Sequence, residues 1–215
     1  VSKLALERLS ARLGSALLET HAQFGDDTAV VEPARWKEAA LVLRDDPRCA
    51  MDMFVDLTAV DWLGRRTGPR FDVVVHLRSL DKLHRVRLKA RIDEAPGAPP
   101  RIDSLCDVWA GANWFERECF DMFGIEFVGH PDLRRILMYD EFVGHPLRKD
   151  YAASHIQPLV PFREGVPDKL PPFGPDEGMP FGRQTHAAAL GAGAAGGTAR
   201  PSGRSLLGDL DPNEG

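Results

Sequence analysis

Two carboxylates two positions apart, Glu116 and Glu118, stand in the stretch of this chain richest in reactive groups, Asn113-Trp114-Phe115-Glu116-Arg117-Glu118-Cys119-Phe120-Asp121. A pair of carboxylates can serve as general acid and base across a hydrolysable bond. The spacing argues against that here. On a helix, residues two apart point about 200° from one another, so Glu116 and Glu118 cannot flank one bond. With Phe115 set at zero, Cys119, Phe123, Phe120 and Met122 fall in one apolar arc, and Glu116 falls inside it at about 100°. Glu118 lies on the border, while Arg117 and Asp121 point away. A carboxylate inside an apolar stripe has to be hydrogen-bonded or paired. The tandem cations Arg134-Arg135 are the expected partners of Glu116 or Glu118, within the chain or across to a partner subunit, and loss of Glu116 should lower the yield of a complex more than loss of Asp121.

Other candidates carry less. Phe127-Val128-Gly129-His130-Pro131 returns fifteen residues later as Phe142-Val143-Gly144-His145-Pro146, each copy followed by basic residues, Arg134-Arg135 and then Arg148-Lys149. His130 and His145 with Asp132 and Asp150 offer metal donors, but no i,i+4 or triad spacing joins them, and no metal site is expected. Cys49, Cys106 and Cys119 are odd in number and lack a C-x-x-C pair. That favours neither a disulfide framework nor an iron–sulfur run; buried thiols in a reducing compartment are expected. Gly191-Ala192-Gly193-Ala194-Ala195-Gly196 satisfies the dinucleotide pattern G-x-G-x-x-G, yet no strand precedes it and only 19 residues follow. It is a coincidence of low-complexity sequence.

Composition bounds the rest. The 215 residues carry a formal net charge of -5, which gives no electrostatic footprint for nucleic acid or an anionic membrane surface. No apolar run approaches the roughly 20 residues of a membrane-spanning helix. The opening Val-Ser-Lys-Leu-Ala-Leu-Glu-Arg lacks the apolar core of a secretory leader. A chain that is soluble by itself and intracellular is expected. Residues 1–157 hold 9 Gly and 8 Pro, whereas residues 158–215 hold 11 Gly and 9 Pro and no Trp or Tyr. A folded domain over 1–157, turn-rich from about 124, and an extended Pro/Gly/Ala-rich tail over 158–215 are therefore expected. The tail's apolar anchors, around Phe162, Phe173 and Phe181, suit a strap lying on a partner.

Within the domain, Leu6, Leu9, Leu13 and Leu17 recur at helical spacing, which predicts a helix over 3–20. Thr28–Val31 reads as a strand. Pro33 opens a helix bearing Trp36, Ala39, Ala40 and Leu43, and Asp46-Pro47 ends it. Phe54–Asp61, Phe71–Arg78 and His84–Ile92 read as strands of an antiparallel meander covered on one face by the two helices. Arg85, Arg87, Lys89 and Arg91 form an outward row read as a solvated strand face rather than a phosphate stripe. Asn113 and Glu116 suggest a capping box, and Gly124 a left-handed stop. The fold class is α+β: a small antiparallel sheet with helices on one face, then an irregular arm and tail.

Three long runs then bear on identity: Glu116-Arg117-Glu118-Cys119-Phe120-Asp121-Met122-Phe123-Gly124-Ile125, Gly129-His130-Pro131-Asp132-Leu133-Arg134-Arg135-Ile136-Leu137-Met138, and Gly144-His145-Pro146-Leu147-Arg148-Lys149-Asp150-Tyr151. With Asp56–Asp61 and Asp107-Val108-Trp109 upstream, they resemble the signature of one complex I family, the 30-kilodalton or C subunits of NADH:quinone oxidoreductases, over roughly residues 25–151. Cys119 departs from the small residue usual there, and the tail is longer than the family core. The resemblance implies a non-catalytic scaffold subunit in the peripheral arm of a proton-translocating complex. It would sit on the cytoplasmic side of the membrane, touching it only through the complex. It would pack on the D and B subunits beside the quinone site, with the I subunit as a further neighbour. FMN and iron–sulfur clusters would reside in partner subunits and none in this chain. The signature residues Glu116, Arg117, Glu118, Asp121, Gly124, His130, Pro131, Arg134, Arg135, His145, Pro146, Arg148, Lys149 and Asp150 would form the interface region. The equivalent subunit of a membrane-bound hydrogenase, or of a ferredoxin- or deazaflavin-linked dehydrogenase, is the alternative.

Overall fold

The computed structural model describes residues 3–158; the tail beyond Pro158, with its expected strap, lies outside the described residues. Helix α1 spans Lys3–Leu13, not 3–20. Gly14 takes φ +57, a left-handed value that ends the helix, and a short turn over Gly14–Ala16 leads into strand β1, Leu17–His21. Leu17, at helical spacing from Leu13, belongs to a strand because the glycine intervenes. Strand β2, Thr28–Val31, precedes a turn at Pro33–Arg35 and helix α2, Trp36–Asp45. Pro33 fits that turn because its φ is preset and it has no N–H to leave unpaired.

Strands β3 (Met53–Asp61), β4 (Phe71–Arg78) and β5 (Arg85–Ile92) form the expected antiparallel meander. The sheet is nevertheless larger and mixed, in the order β1-β2-β5-β4-β3, with β2 parallel to β5 and β1 antiparallel at the edge. The parallel pair left no signal of its own: nothing in the four-residue β2 says which neighbour it will choose, and parallel pairing depends on the intervening path.

One face of the sheet makes the core. Val73, Val75 and Leu77 of β4, Val86, Leu88 and Ala90 of β5, and Ala29 and Val31 of β2 pack against Leu9 and Leu13 of α1 and Trp36, Ala39 and Leu43 of α2. The period-2 pattern of the strands meets the period-3.6 stripe of the helices across that layer. The opposite face is less solvated than its cations suggested. Arg87, Lys89 and Arg91 are half-buried; Asp26 pairs with Arg85 at 2.7 Å and with Arg87 at 2.9 Å, and Glu19 pairs with Arg91 at 2.7 Å.

Helix α3, Ala112–Phe123, lies against β3 and is bracketed by two short strands, β6 (Arg101–Asp103) and β7 (Glu126–Val128), which pair parallel to one another. This strand–helix–strand unit fixes both ends of α3. Residues 129–158 then run as turns and bends without helix or strand. Among the described residues no helix is long and apolar enough to cross a membrane. The boundary between α1 and β1 has a direct test. Leu9, fully buried on α1, should cost about 2–5 kcal/mol when cut to Ala. Leu18, 50% exposed on β1, should cost about 0.5 kcal/mol or less. Urea denaturation of the two variants reads the difference, and equal losses would favour the longer helix.

Candidate functional site

The last four carbonyls of a helix have no partner within it. In α3 these belong to Phe120, Asp121, Met122 and Phe123, and each is met. Gly124 N–H donates to Phe120 O at 2.9 Å, His145 Nδ1 to Asp121 O at 2.9 Å, Leu147 N–H to Met122 O at 3.0 Å and Arg148 Nη1 to Phe123 O at 3.2 Å. Gly124 sits at φ +75, and a Cβ there would stand 2.7 Å from the His145 ring. Its lack of a side chain therefore serves both the left-handed turn and the approach of the imidazole. A carbonyl only accepts, so His145 Nδ1 carries its proton; burial pulls the imidazole below its ordinary pKa.

Asp121 anchors the other half of the arm. Its carboxylate is fully buried, and Oδ2 accepts from three successive backbone N–H groups, Ile136 at 3.1 Å and Leu137 and Met138 at 2.8 Å. Oδ1 accepts from Arg135 Nη1 at 2.6 Å. Arg135 in turn donates to Phe142 O at 2.9 Å and Gly144 O at 3.1 Å and lies over the Phe142 ring. Burial pushes the Asp121 carboxyl up, but the three N–H groups and the guanidinium together outweigh it and hold the group below the usual carboxylate range. Arg117, one turn earlier, donates to the carbonyls of Arg134 at 3.1 Å and Arg135 at 2.9 Å.

A second lock ties the end of the arm to the sheet. Asp61, buried at the end of β3, accepts from Arg70 Nη2 at 2.7 Å, Leu63 N–H at 2.9 Å and Lys149 N–H at 2.8 Å. Arg70 also reaches Glu94 at 2.8 Å and Asp150 at 2.9 Å, and Arg148 reaches Glu94 at 2.6 Å and Asp150 at 3.2 Å. Arg70 and Arg148 both lie over the Phe71 ring. The hydrogen bond from Arg70, opposed by some burial, holds the Asp150 carboxyl far below the usual range.

The candidate residues thus divide. Asp121, Gly124, Arg135, His145, Arg148 and Asp150 meet in the clasp, with Arg117 and the Lys149 backbone beside them. Pro146 is half-buried between His145 and Leu147; Glu118, Pro131 and the Lys149 side chain are exposed. Arg134 is exposed and pairs with Asp132 at 3.0 Å. His130 meets Asn113 O through Nε2 at 3.1 Å, so the two Phe-Val-Gly-His-Pro copies grip opposite ends of α3.

Two expectations are overturned. The Asn113–Glu116 capping box does not form: the helix begins at Ala112 after Gly111 without a side-chain cap, because Glu116 turns inward to Ser104 Oγ and Leu105 N–H, both at 2.6 Å. Within the chain, the predicted pairing of Glu116 or Glu118 with Arg134 or Arg135 also does not form. Asp121 takes Arg135, since the arm covers the face of α3 that looked polar on the helical wheel. Arg70 and Glu94 were missed, being isolated charges beside turns; their only signal would have been the clash of a buried Asp61 with its need for a cation.

Asp121→Asn should lower stability by about 3–5 kcal/mol by unpairing a buried arginine, whereas Glu118→Gln should change it by about 0.5 kcal/mol or less; denaturant unfolding separates them, and similar values would refute the clasp. Asp61, Asp121 and Asp150 hold their protons less tightly folded than unfolded. Their contribution is therefore complete above the unfolded carboxyl pKa near about 4 and is lost as pH falls through the lower folded values. Stability followed from pH 7 to pH 2 should drop more gently for Asp121→Asn than for the native chain; parallel curves would mean that Asp121 is not depressed.

The description of the family whose pattern matches residues 29–157 is the respiratory-chain NADH dehydrogenase 30 Kd subunit. The C subunit of the NADH-quinone oxidoreductase of Thiobacillus denitrificans is 45% identical over 159 residues, covering 70% of this chain and 78% of the relative. The protein of the same name from Acidithiobacillus ferrooxidans is 49% identical over 149 residues, covering 67% and 72%. A chain of a membrane-bound sulfane sulfur reductase, an archaeal respiratory membrane complex, is similar in fold at a TM-score of 0.58 and 20% identity, over 71% of this chain and 85% of that one. The residues that build the clasp lie inside the matched region, and the chain belongs to the family of the 30 Kd subunit of respiratory-chain NADH dehydrogenase.

Proposed function

We propose that this chain is a scaffold subunit in the peripheral arm of a proton-translocating NADH:quinone oxidoreductase, itself without catalytic residues, flavin, iron–sulfur cluster or nucleotide site. It packs on the D and B subunits, with the I subunit nearby, on the cytoplasmic side beside the quinone pocket, and supports electron transfer to quinone by holding its neighbours in place. The observation that carries this reading is the outward face of the clasped arm. While buried polar groups fix its backbone, Leu137, Val143, Leu147 and Ile156 remain 50–90% exposed, with Trp114 on α3 at 71%. Apolar side chains presented on an irregular but well-anchored backbone suit a lasting subunit interface.

The chemistry of the buried thiols and acids supports the same reading. Burial pushes the Cys49 and Cys119 thiols up, which disfavours nucleophilic use. Glu116 is buried and Glu118 exposed, so the two do not face a common bond. The relatives are named as parts of an NADH-quinone oxidoreductase, which favours this complex over a hydrogenase or a ferredoxin-linked machine.

An affinity-tagged copy expressed in its source cells should bring down the B and D subunits in equal amounts. The purified chain alone should show no visible absorption and no NADH oxidation. Leu137→Asp with Leu147→Asp, both on the exposed face, should leave the chain folded but reduce recovery of both partners at least about tenfold. Undiminished recovery would move the interface elsewhere. A stoichiometric chromophore on the chain alone would defeat the cofactor-free reading.

A further inference from the structure

Glu116 is a fully buried carboxylate whose hydrogen-bond donors are all neutral: Ser104 Oγ, Leu105 N–H and, at 3.4 Å, Cys106 Sγ. Asp61 and Asp121 differ, since each faces an arginine. A buried anion without a cation is costly. The arm brings the imidazole of His130 beside this carboxylate. One donor atom from each of Cys106, Glu116 and His130 lies within 4.8 Å of the other two.

We propose that Cys106, Glu116 and His130 form a zinc-binding site that staples the loop before α3, the first turns of α3 and the start of the arm to one ion. Sulfur, carboxylate oxygen and imidazole nitrogen are zinc's usual donors. Tetrahedral ligands at its bond lengths stand about 3.6 Å apart, and Cys106 Sγ and Glu116 Oε2 already stand 3.4 Å apart. The imidazole closes the remaining distance by a small shift. Its two nitrogens now meet Asn113 O at 3.1 Å and the Asp132 N–H at 3.0 Å. Nδ1, which accepts from the Asp132 N–H, has the lone pair to give to the metal, and Nε2–H keeps Asn113 O and orients the ring, as is common for zinc-bound histidines. Binding releases the Cys106 thiol proton to solvent past the half-exposed Cys106 and His130, so thiolate and carboxylate together neutralise the divalent ion. A fourth position on that open side is left for water. The set differs from the group weighed in the sequence, of which only His130 takes part; Cys106 and Glu116 were hidden because one precedes the helix and the other looked like a cap.

Because zinc is spectroscopically silent, the full-length chain is titrated with cobalt(II) under reducing, oxygen-free conditions. Binding should be one to one, with a near-ultraviolet thiolate-to-cobalt band and visible bands of tetrahedral strength, and zinc should abolish both. Cys106→Ser should remove the thiolate band and weaken binding at least about tenfold; His130→Gln, altered on a half-exposed residue, should weaken it to a similar degree while leaving the far-ultraviolet circular dichroism unchanged. The second variant decides the matter if the first does not fold. Absence of a thiolate band in the native chain, or undiminished binding by His130→Gln, overturns the site.

Discussion

A helix that ends inside a protein must have its last carbonyls answered, and the organisation of the second half of this chain follows from how α3 meets that demand. The turn between Phe123 and Ile125 is buried, so the donors have to come from elsewhere in the chain. They come in order from the segment 145–148: an imidazole, a backbone N–H and a guanidinium. A segment recruited for hydrogen bonding is thereby also fixed in space. The irregular arm is ordered without helix or sheet because another element's unsatisfied groups dictate its path.

The two carboxylates that complete the arrangement work alike, each gathering backbone N–H groups and one arginine. Asp121 gathers three backbone N–H groups and an arginine, which makes it a miniature anion site built by its own chain. Asp61 gathers Arg70 and the Lys149 N–H, and Arg70 passes the connection on to Glu94 and Asp150. Since Lys149 lies 88 residues from Asp61 and Asp150 lies 80 from Arg70, these bonds hold the sheet and the arm as one unit. Loss of any one buried charge strands its partners, so the network acts cooperatively rather than as a sum of pairs.

Much of this was legible in the sequence, and the failures have physical causes. Alternation revealed β4 and β5 because one face is uniformly apolar, and Gly124 revealed the end of α3 because only a left-handed residue suits that stop. The helical wheel correctly placed Glu116 inside and wrongly placed Asp121 outside. A wheel sorts residues by their affinity for an apolar core, and Asp121 is buried by a polar arm that the wheel does not contain. Strand β1 was hidden by Leu17, whose spacing continued the stripe of α1 across a glycine. The pairing of Arg70 with Asp61 left no local trace. The runs that carried the family resemblance did mark the clasp as a region, without saying which charge meets which.

The order in which the arm reads the end of α3 restricts how this chain can change in length. His145, Leu147 and Arg148 serve Asp121, Met122 and Phe123 one after another, so the two segments run in step, like teeth on a rack. Inserting or deleting one residue between 144 and 149 would throw every later tooth out of step and withdraw the Lys149 N–H from Asp61. Around Asp140 and Glu141, both exposed at the tip between the two gripping points, an extra residue would only lengthen the bight. Length variation in this part of the molecule is therefore confined by geometry to a loop tip of a few residues.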